Sequence, residues 1–202
     1  MAQNVYEKVV TAGEEYSMLH AGYITLRQLR IEKFFVYWGQ DINATVTPVE
    51  CGRTFRVDFN KKFTADPDLI RRTCRVDIEK DFIGKDALQK QMETGVKKRF
   101  VQMLIDGHDK ECDPWPQGGE CIYRDGKASG MTTSAAYGFT LGCQVCIGYI
   151  EHEGECVSSD FINTGSYQVE IAGKRFPVRV NLHSPSLPMI SSEHPLHYRP
   201  TQ

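Results

Sequence analysis

Several features are scarce or missing in this chain of 202 residues, and each closes off a class of function. No apolar run approaches the roughly 18 residues that a bilayer-spanning helix needs. Neither sign of charge dominates: 24 Lys and Arg face 26 Asp and Glu, for a formal net charge of −2. No basic field therefore marks the chain for nucleic acid or anionic lipid. No glycine-rich loop follows an apolar strand pattern, so the P-loop and dinucleotide fingerprints are absent. A flavin or nicotinamide, if one is used, belongs to a domain elsewhere. None of His20, His108, His152, His183, His194 and His197 falls in a metal-binding spacing. The opening MAQNVYEKVV has neither a signal-peptide core nor an Arg/Ser-rich transit pattern, as expected of a cytosolic protein or of a chain without its natural start.

Seven cysteines are present, an odd number without framework spacing. This argues against a disulfide-stapled secreted fold and for reduced thiols. Cys143 and Cys146 form a C-x-x-C, but no second pair accompanies them and GCQVCIGYI reads as an apolar strand. Core cysteines are expected rather than a metal or redox site.

Apolar residues make up 41% and charged residues 25%, ordinary values for a globular protein. Val5, Val9, Ala12 and Tyr16 recur at helical spacing, which predicts a helix over 4–16. Asn4 and Glu7 are placed to form a capping box at its start. A second helix, or a helix running into a strand, is expected over 21–31, and a loop around 43–48. A short helix, KDALQKQMET, is expected between Gly84 and Gly95. After Val96 the pattern turns to strands: 99–105, 120–134, 144–151 and 166–182, with turns at Asp125-Gly126 and Ala172-Gly173. Short strands with glycine-bearing turns at this spacing predict a small β-barrel or sandwich. The tail 184–202, with Pro185, Pro188, Pro195 and Pro200, is expected to be irregular. RTFRVDFNKKF (53–63) recurs as RTCRVDIEKDF (72–82). One copy is expected to occupy a strand and the other to loop out.

Three stretches carry polar groups of possible chemical use. In LRQLRIEKFFVYWGQD (26–41), Glu32 sits among Phe34, Phe35, Tyr37 and Trp38. A buried carboxylate needs partners. It can accept two parallel N–H donors, as the edge of an aminopyrimidine presents them, with the aromatics stacked on the flat ring. Or it pairs with Arg30, Lys33 or another cation, the reading favoured by residue chemistry alone. In TPVECGR (47–53), Glu50 reads as a structural acceptor for backbone N–H groups. In YRDGKASGMTTSAAYGFTLG (123–142), Thr132, Thr133, Ser134 and Tyr137 read as a polar rim that shapes a loop at one end of the barrel. No His or carboxylate stands beside Ser134, so a nucleophile is not indicated.

These stretches, with DFIGKDALQKQ between them, occur in the order seen in aminomethyltransferase-like proteins. The chain resembles this family over residues 4–182. Its members include the glycine-cleavage T-protein and the C-terminal halves of dimethylglycine and sarcosine dehydrogenases. The wording EKFFVYWGQD, with ECGR where the family usually has small residues, most resembles the branch of regulatory subunits of pyruvate dehydrogenase phosphatase. The resemblance implies an α+β architecture: residues 1–95 as the trailing part of the folate-binding-type domain, 96–183 as the C-terminal β-barrel, and 184–202 as a tail. It implies tetrahydrofolate as a possible ligand, gripped by Glu32, which reverses the residue-level preference, with Arg30 as a structural partner. It implies FAD only through a domain absent from this chain. The family's catalytic aspartate is expected upstream of these motifs, so no catalytic or metal-ligating residue is assigned. The implied partner is the phosphatase catalytic subunit, and the implied location the mitochondrial matrix. Deleting 53–71 would leave a family-like ECGRTCRVDIEKDFIGKDAL without a gap.

Overall fold

The computed structural model describes residues 1–52, 57–58, 76–77 and 81–183. Helix α1 runs from Ala2 to Gly13 and continues as a 3-10 turn, Glu14–Tyr16. It starts two residues before the expected cap: Met1 is the N-cap residue, with no side-chain cap. Asn4 is inside the helix, and Glu7 instead accepts from Gln3 Nε2 at 2.9 Å. The capping box is thus replaced by an i, i+4 pair on the exposed surface. Helix α2 spans Tyr23–Glu32, and α3 spans Lys85–Thr94 between Gly84 and Gly95. Both of those glycines have positive φ, the backbone state that glycine adopts without steric cost.

The repeat contributes from both copies. Val57–Asp58 forms β1 and Val76–Asp77 forms β2. They pair with each other in parallel, Val57 opposite Val76. The expectation of one strand and one loop is corrected to that extent. The remainder of both copies, and the expected irregular tail, lie outside the described residues.

Six strands close a barrel: β3 (Lys98–Ile105), β4 (Cys121–Arg124), β5 (Lys127–Gly138), β6 (Cys143–Glu151), β7 (Tyr167–Ile171) and β8 (Lys174–Asn181). Their order around it is β3-β6-β5-β4-β7-β8, and all neighbours are antiparallel. Two hairpins turn as the sequence predicts. Asp125 (φ 50) and Gly126 (φ 78), then Ala172 (φ 48) and Gly173 (φ 84), place two successive residues at positive φ. That geometry matches the right-handed twist of the strands on either side. Helix α4 (Ser159–Thr164), capped by Ser158 Oγ accepting from Phe161 N at 3.1 Å, had no periodic signal at its six-residue length.

The strand residues divide by side. Val101, Met103, Ile105, Cys146 and Ile150 point inward and pack with Ile122, Val169 and Phe176. Phe100, Leu104, Val145, Ile147 and Tyr149 point outward, yet they are buried under Ile31, Phe34 and Cys51. Hence β3 and β6 are apolar on both faces, and the alternation usual in antiparallel strands is lost. Segment 30–51 is the cover on that wall. Cys143 and Cys146 belong to opposite sides of it, because residues three apart in a strand face opposite ways.

Candidate functional site

The site forms where the first and third polar stretches meet. Helix α2 lies against β5 and β6. It ends in a Schellman turn: Phe34 N donates to Ile31 O, and Phe35 N to Arg30 O at 2.7 Å, with Phe34 at φ 56. A non-glycine residue in this conformation costs about 1–2 kcal/mol. Phe34 offsets that by burial, with its ring stacked on Phe100 at 5.3 Å. Gln102, fully buried on the outer face of β3, donates to Ile31 O at 2.8 Å and Glu32 O at 3.0 Å. It thereby supplies a donor to the Glu32 carbonyl at the helix end and a further one to the Ile31 carbonyl, which already accepts from Phe34 N. Asn181 holds its Oε1 at 3.2 Å.

Beneath this turn lies a buried ion pair. Arg30 Nη1 donates to Asp41 Oδ2 at 2.6 Å, and the Asp41 side chain is wholly buried. Asp41 also accepts from Tyr37 N, Thr133 Oγ1 and Ser134 Oγ, each at 2.7 Å. Arg30 Nη2 reaches Ser134 Oγ at 3.0 Å, and Tyr149 OH donates to the Asp41 carbonyl at 2.9 Å. A register shift in β5 between Thr132 and Ser134 lets Thr133 and Ser134 both reach Asp41, which a regular strand would not allow. Thr132 is buried and bonds Glu120. Thr132, Thr133 and Ser134 lie in a strand, as expected over 120–134, and β5 runs on past them through Tyr137 to Gly138, so they line the barrel wall instead of shaping a loop at its end. Asp41 and Gln102 carried no signal of their own, since Ser134, which Asp41 binds beside the nearer Arg30 and Tyr37, is 93 positions away, and the carbonyl of Ile31 is 71 positions from Gln102.

Glu32 is buried, 3% exposed. Among the described residues no cation pairs with it, neither Arg30 nor Lys33. Its Oε1 accepts the backbone N–H groups of Thr140 (2.7 Å) and Leu141 (3.2 Å), so it clasps the β5–β6 hairpin. Its Oε2 has only a 3.4 Å contact with Thr140 Oγ1. Of the aromatics expected to stack on a flat ring, Phe34 is spent in the core, while Phe35, Tyr37 and Trp38 are exposed.

Glu50 acts as a structural acceptor: Thr47 N donates to its Oε2 at 2.9 Å, and Thr47 Oγ1 accepts from Glu50 N at 3.2 Å. Burial pushes the Cys146 thiol well above its ordinary pKa and raises Cys143 less. Both are therefore poor thiolates near neutral pH. Among the described residues, no group of three or more His, Cys, Asp or Glu is placed to hold a metal ion. No described helix is long and apolar enough to cross a membrane.

Comparison with known proteins matches this arrangement twice over. The family model of the glycine cleavage T-protein C-terminal barrel domain matches residues 98–186, and that of the GCVT N-terminal domain matches residues 1–61. The chain is 44% identical over 188 residues to the mitochondrial pyruvate dehydrogenase phosphatase regulatory subunit of Mus musculus, covering 90% of this chain and 20% of that protein. It is 31% identical over 183 residues to the mitochondrial sarcosine dehydrogenase of Mus musculus, covering 90% of this chain and 17% of that one. The chain thus spans about a fifth of the length of these relatives. The crystal structure of the glycine cleavage system aminomethyltransferase T from Bartonella henselae shares the fold, at TM-score 0.51 and 17% identity, over 78% of this chain and 37% of that one.

Proposed function

The chain belongs to the glycine cleavage T-protein family, and from that membership we propose that it serves within a regulatory subunit of pyruvate dehydrogenase phosphatase, without catalysis of its own. The observation that carries this reading is the higher identity to the mouse regulatory subunit than to sarcosine dehydrogenase. The spending of the motif charges supports it. Arg30 and Asp41 are consumed in fastening segment 30–51 to the barrel, as suits a scaffold. In this proposal residues 1–95 and 96–183 act as two parts of one platform for the phosphatase catalytic subunit, in the mitochondrial matrix. The test is dephosphorylation of pyruvate dehydrogenase by that catalytic subunit with and without the chain. Co-purification and a changed rate are expected. The absence of both binding and a rate change would sink the reading.

A second reading is favoured by Glu32 Oε2, held only by a 3.4 Å contact with Thr140 Oγ1, and by the exposed Phe35, Tyr37 and Trp38 that follow Glu32 in sequence: a folate-binding corner, as in a folate-dependent dehydrogenase or aminomethyltransferase. Glu32 and the aromatics would hold the pterin ring, and FAD would belong to another domain. Calorimetric titration of tetrahydrofolate, beside a Glu32→Gln control, separates the two. Binding abolished by the substitution supports a folate site, and no binding by the folded chain leaves the scaffold reading alone.

A further inference from the structure

The connection between β3 and β4 crosses one mouth of the barrel, and it is tied mostly to itself. Asp113 N donates to Asp109 O, and Asp109 N to Asp113 Oδ2, each at 2.9 Å. The Trp115 indole N–H donates to Lys110 O at 2.8 Å. His108 Nε2 donates to Pro114 O at 3.0 Å, because a carbonyl can only accept. Among the described residues, the stretch 107–118 makes one hydrogen bond or ion pair to a barrel strand, from Lys174 Nζ to Asp113 Oδ1 at 2.7 Å. Its other holds are ring contacts: His108 on Phe176 of β8 at 5.1 Å, and Trp115 on Tyr137 of β5 at 6.0 Å with the Lys110 ammonium over the same tyrosine. It thus reaches from β8 to β5, strands separated by β3 and β6. Glycines at positive φ stand at both of its ends: Gly107 (φ 70), then Gly118 (φ 103) and Gly119 (φ 96).

Under this stretch lies a buried amide with nothing to bind. Gln144 is the first residue of β6 on the face of Cys146 and Ile150, which points into the barrel. Its Cα partner on β5 is Tyr137, the ring that Trp115 meets. Gln144 is 1% exposed, and neither its Oε1 nor its Nε2 has a hydrogen-bond partner in the protein. Exchanging the two atoms brings no partner to either. His108 Nδ1, on the connection itself, is buried and unpartnered as well. Such groups oppose the state that buries them, and they are relieved when water reaches them. We propose that residues 107–118 are a lid over this mouth of the barrel. It is hinged at Gly107 and at Gly118-Gly119, where backbone rotation meets the least steric resistance, and it is latched by Lys174 on Asp113. Its internal bonds make it swing as one piece. Closing buries the Gln144 amide without a partner, and opening uncovers it while the six strands stay paired.

The experiment follows hydrogen exchange of the Gln144 side-chain carboxamide by NMR, in the full chain isotopically labelled at glutamine. The protons sit beneath the lid, so their protection reports its opening. That protection is expected to be about tenfold or more below that of the β3 backbone amides, because a local opening leaves the barrel folded. Lys174→Met releases the latch and should lower it about threefold further, the scale of an exposed ion pair, with the β3 amides unchanged. Lys174→Arg keeps the charge and should restore it. Protection of the Gln144 carboxamide equal to that of β3 overturns the proposal, since the mouth then opens only with the whole barrel. Protection that Lys174→Met leaves unchanged overturns it too, since the amide is then reached by a path other than the lid.

Discussion

Arg30 and Asp41 are eleven positions apart, and both charges are withdrawn from water. Such a pair is weak evidence for net stability, but removing one partner strands the other. Arg30→Met should therefore lower the unfolding free energy by about 3–5 kcal/mol, measured by urea denaturation. Arg30→Met with Asp41→Leu should recover a large part of that loss, since no bare charge remains. A gentler case is Asp113, on the barrel surface. The hydrogen bond from the Lys174 ammonium, then the Asp109 backbone, hold its carboxyl below the usual range. A carboxylate with a lowered folded-state pKa stabilises above its unfolded pKa and loses that contribution as pH falls through the folded one. Lys174→Met should move the Asp113 titration back up toward the ordinary value by NMR. The contact is exposed, so the change in stability should be small.

At the scale of elements, the hairpin 138–143 is tied to α2 by a single carboxylate. Glu32→Ala leaves the N–H groups of Thr140 and Leu141 without their acceptor. Their hydrogen exchange should accelerate about tenfold or more, as expected for losing a charged hydrogen bond of about 1.5 kcal/mol or above, while exchange in β3 should change little. Which elements could be read in advance follows from the range of the forces that make them. Asp125-Gly126, Ala172-Gly173 and the glycines flanking α3 act through local backbone sterics, so they were legible. The capping box at Asn4 and Glu7 was not realised, because a helix with few buried residues has no packing to fix where it starts. The extent of β5, the bonds of Asp41 to Thr133 and Ser134, and the role of Gln102 depend on the packing of segment 30–51 against the barrel, which joins residues far apart in sequence. For Glu32 the burial was legible and the partner was not: backbone amides leave no trace in residue type.

The whole molecule has two unlike sides. The barrel wall is covered, but α1 and the residues after it present Val5 (62% exposed), Val9 (54%), Leu19 (81%) and Ile24 (70%) to solvent. The helical spacing that predicts an amphipathic helix from Val5, Val9, Ala12 and Tyr16 is real, yet only Gly13 of α1 is buried. An amphipathic stripe gains its stability from an apolar partner rather than from propensity, and a 12-residue helix is marginal without one. The chain alone should therefore relieve this exposure by association. Light scattering behind size-exclusion chromatography is expected to show a mass that rises with protein concentration. Val5→Glu with Val9→Glu should return it toward the 22.9 kDa of a single chain. A monomer at every concentration, with α1 protected from hydrogen exchange, would mean that the helix stripe is covered within one molecule.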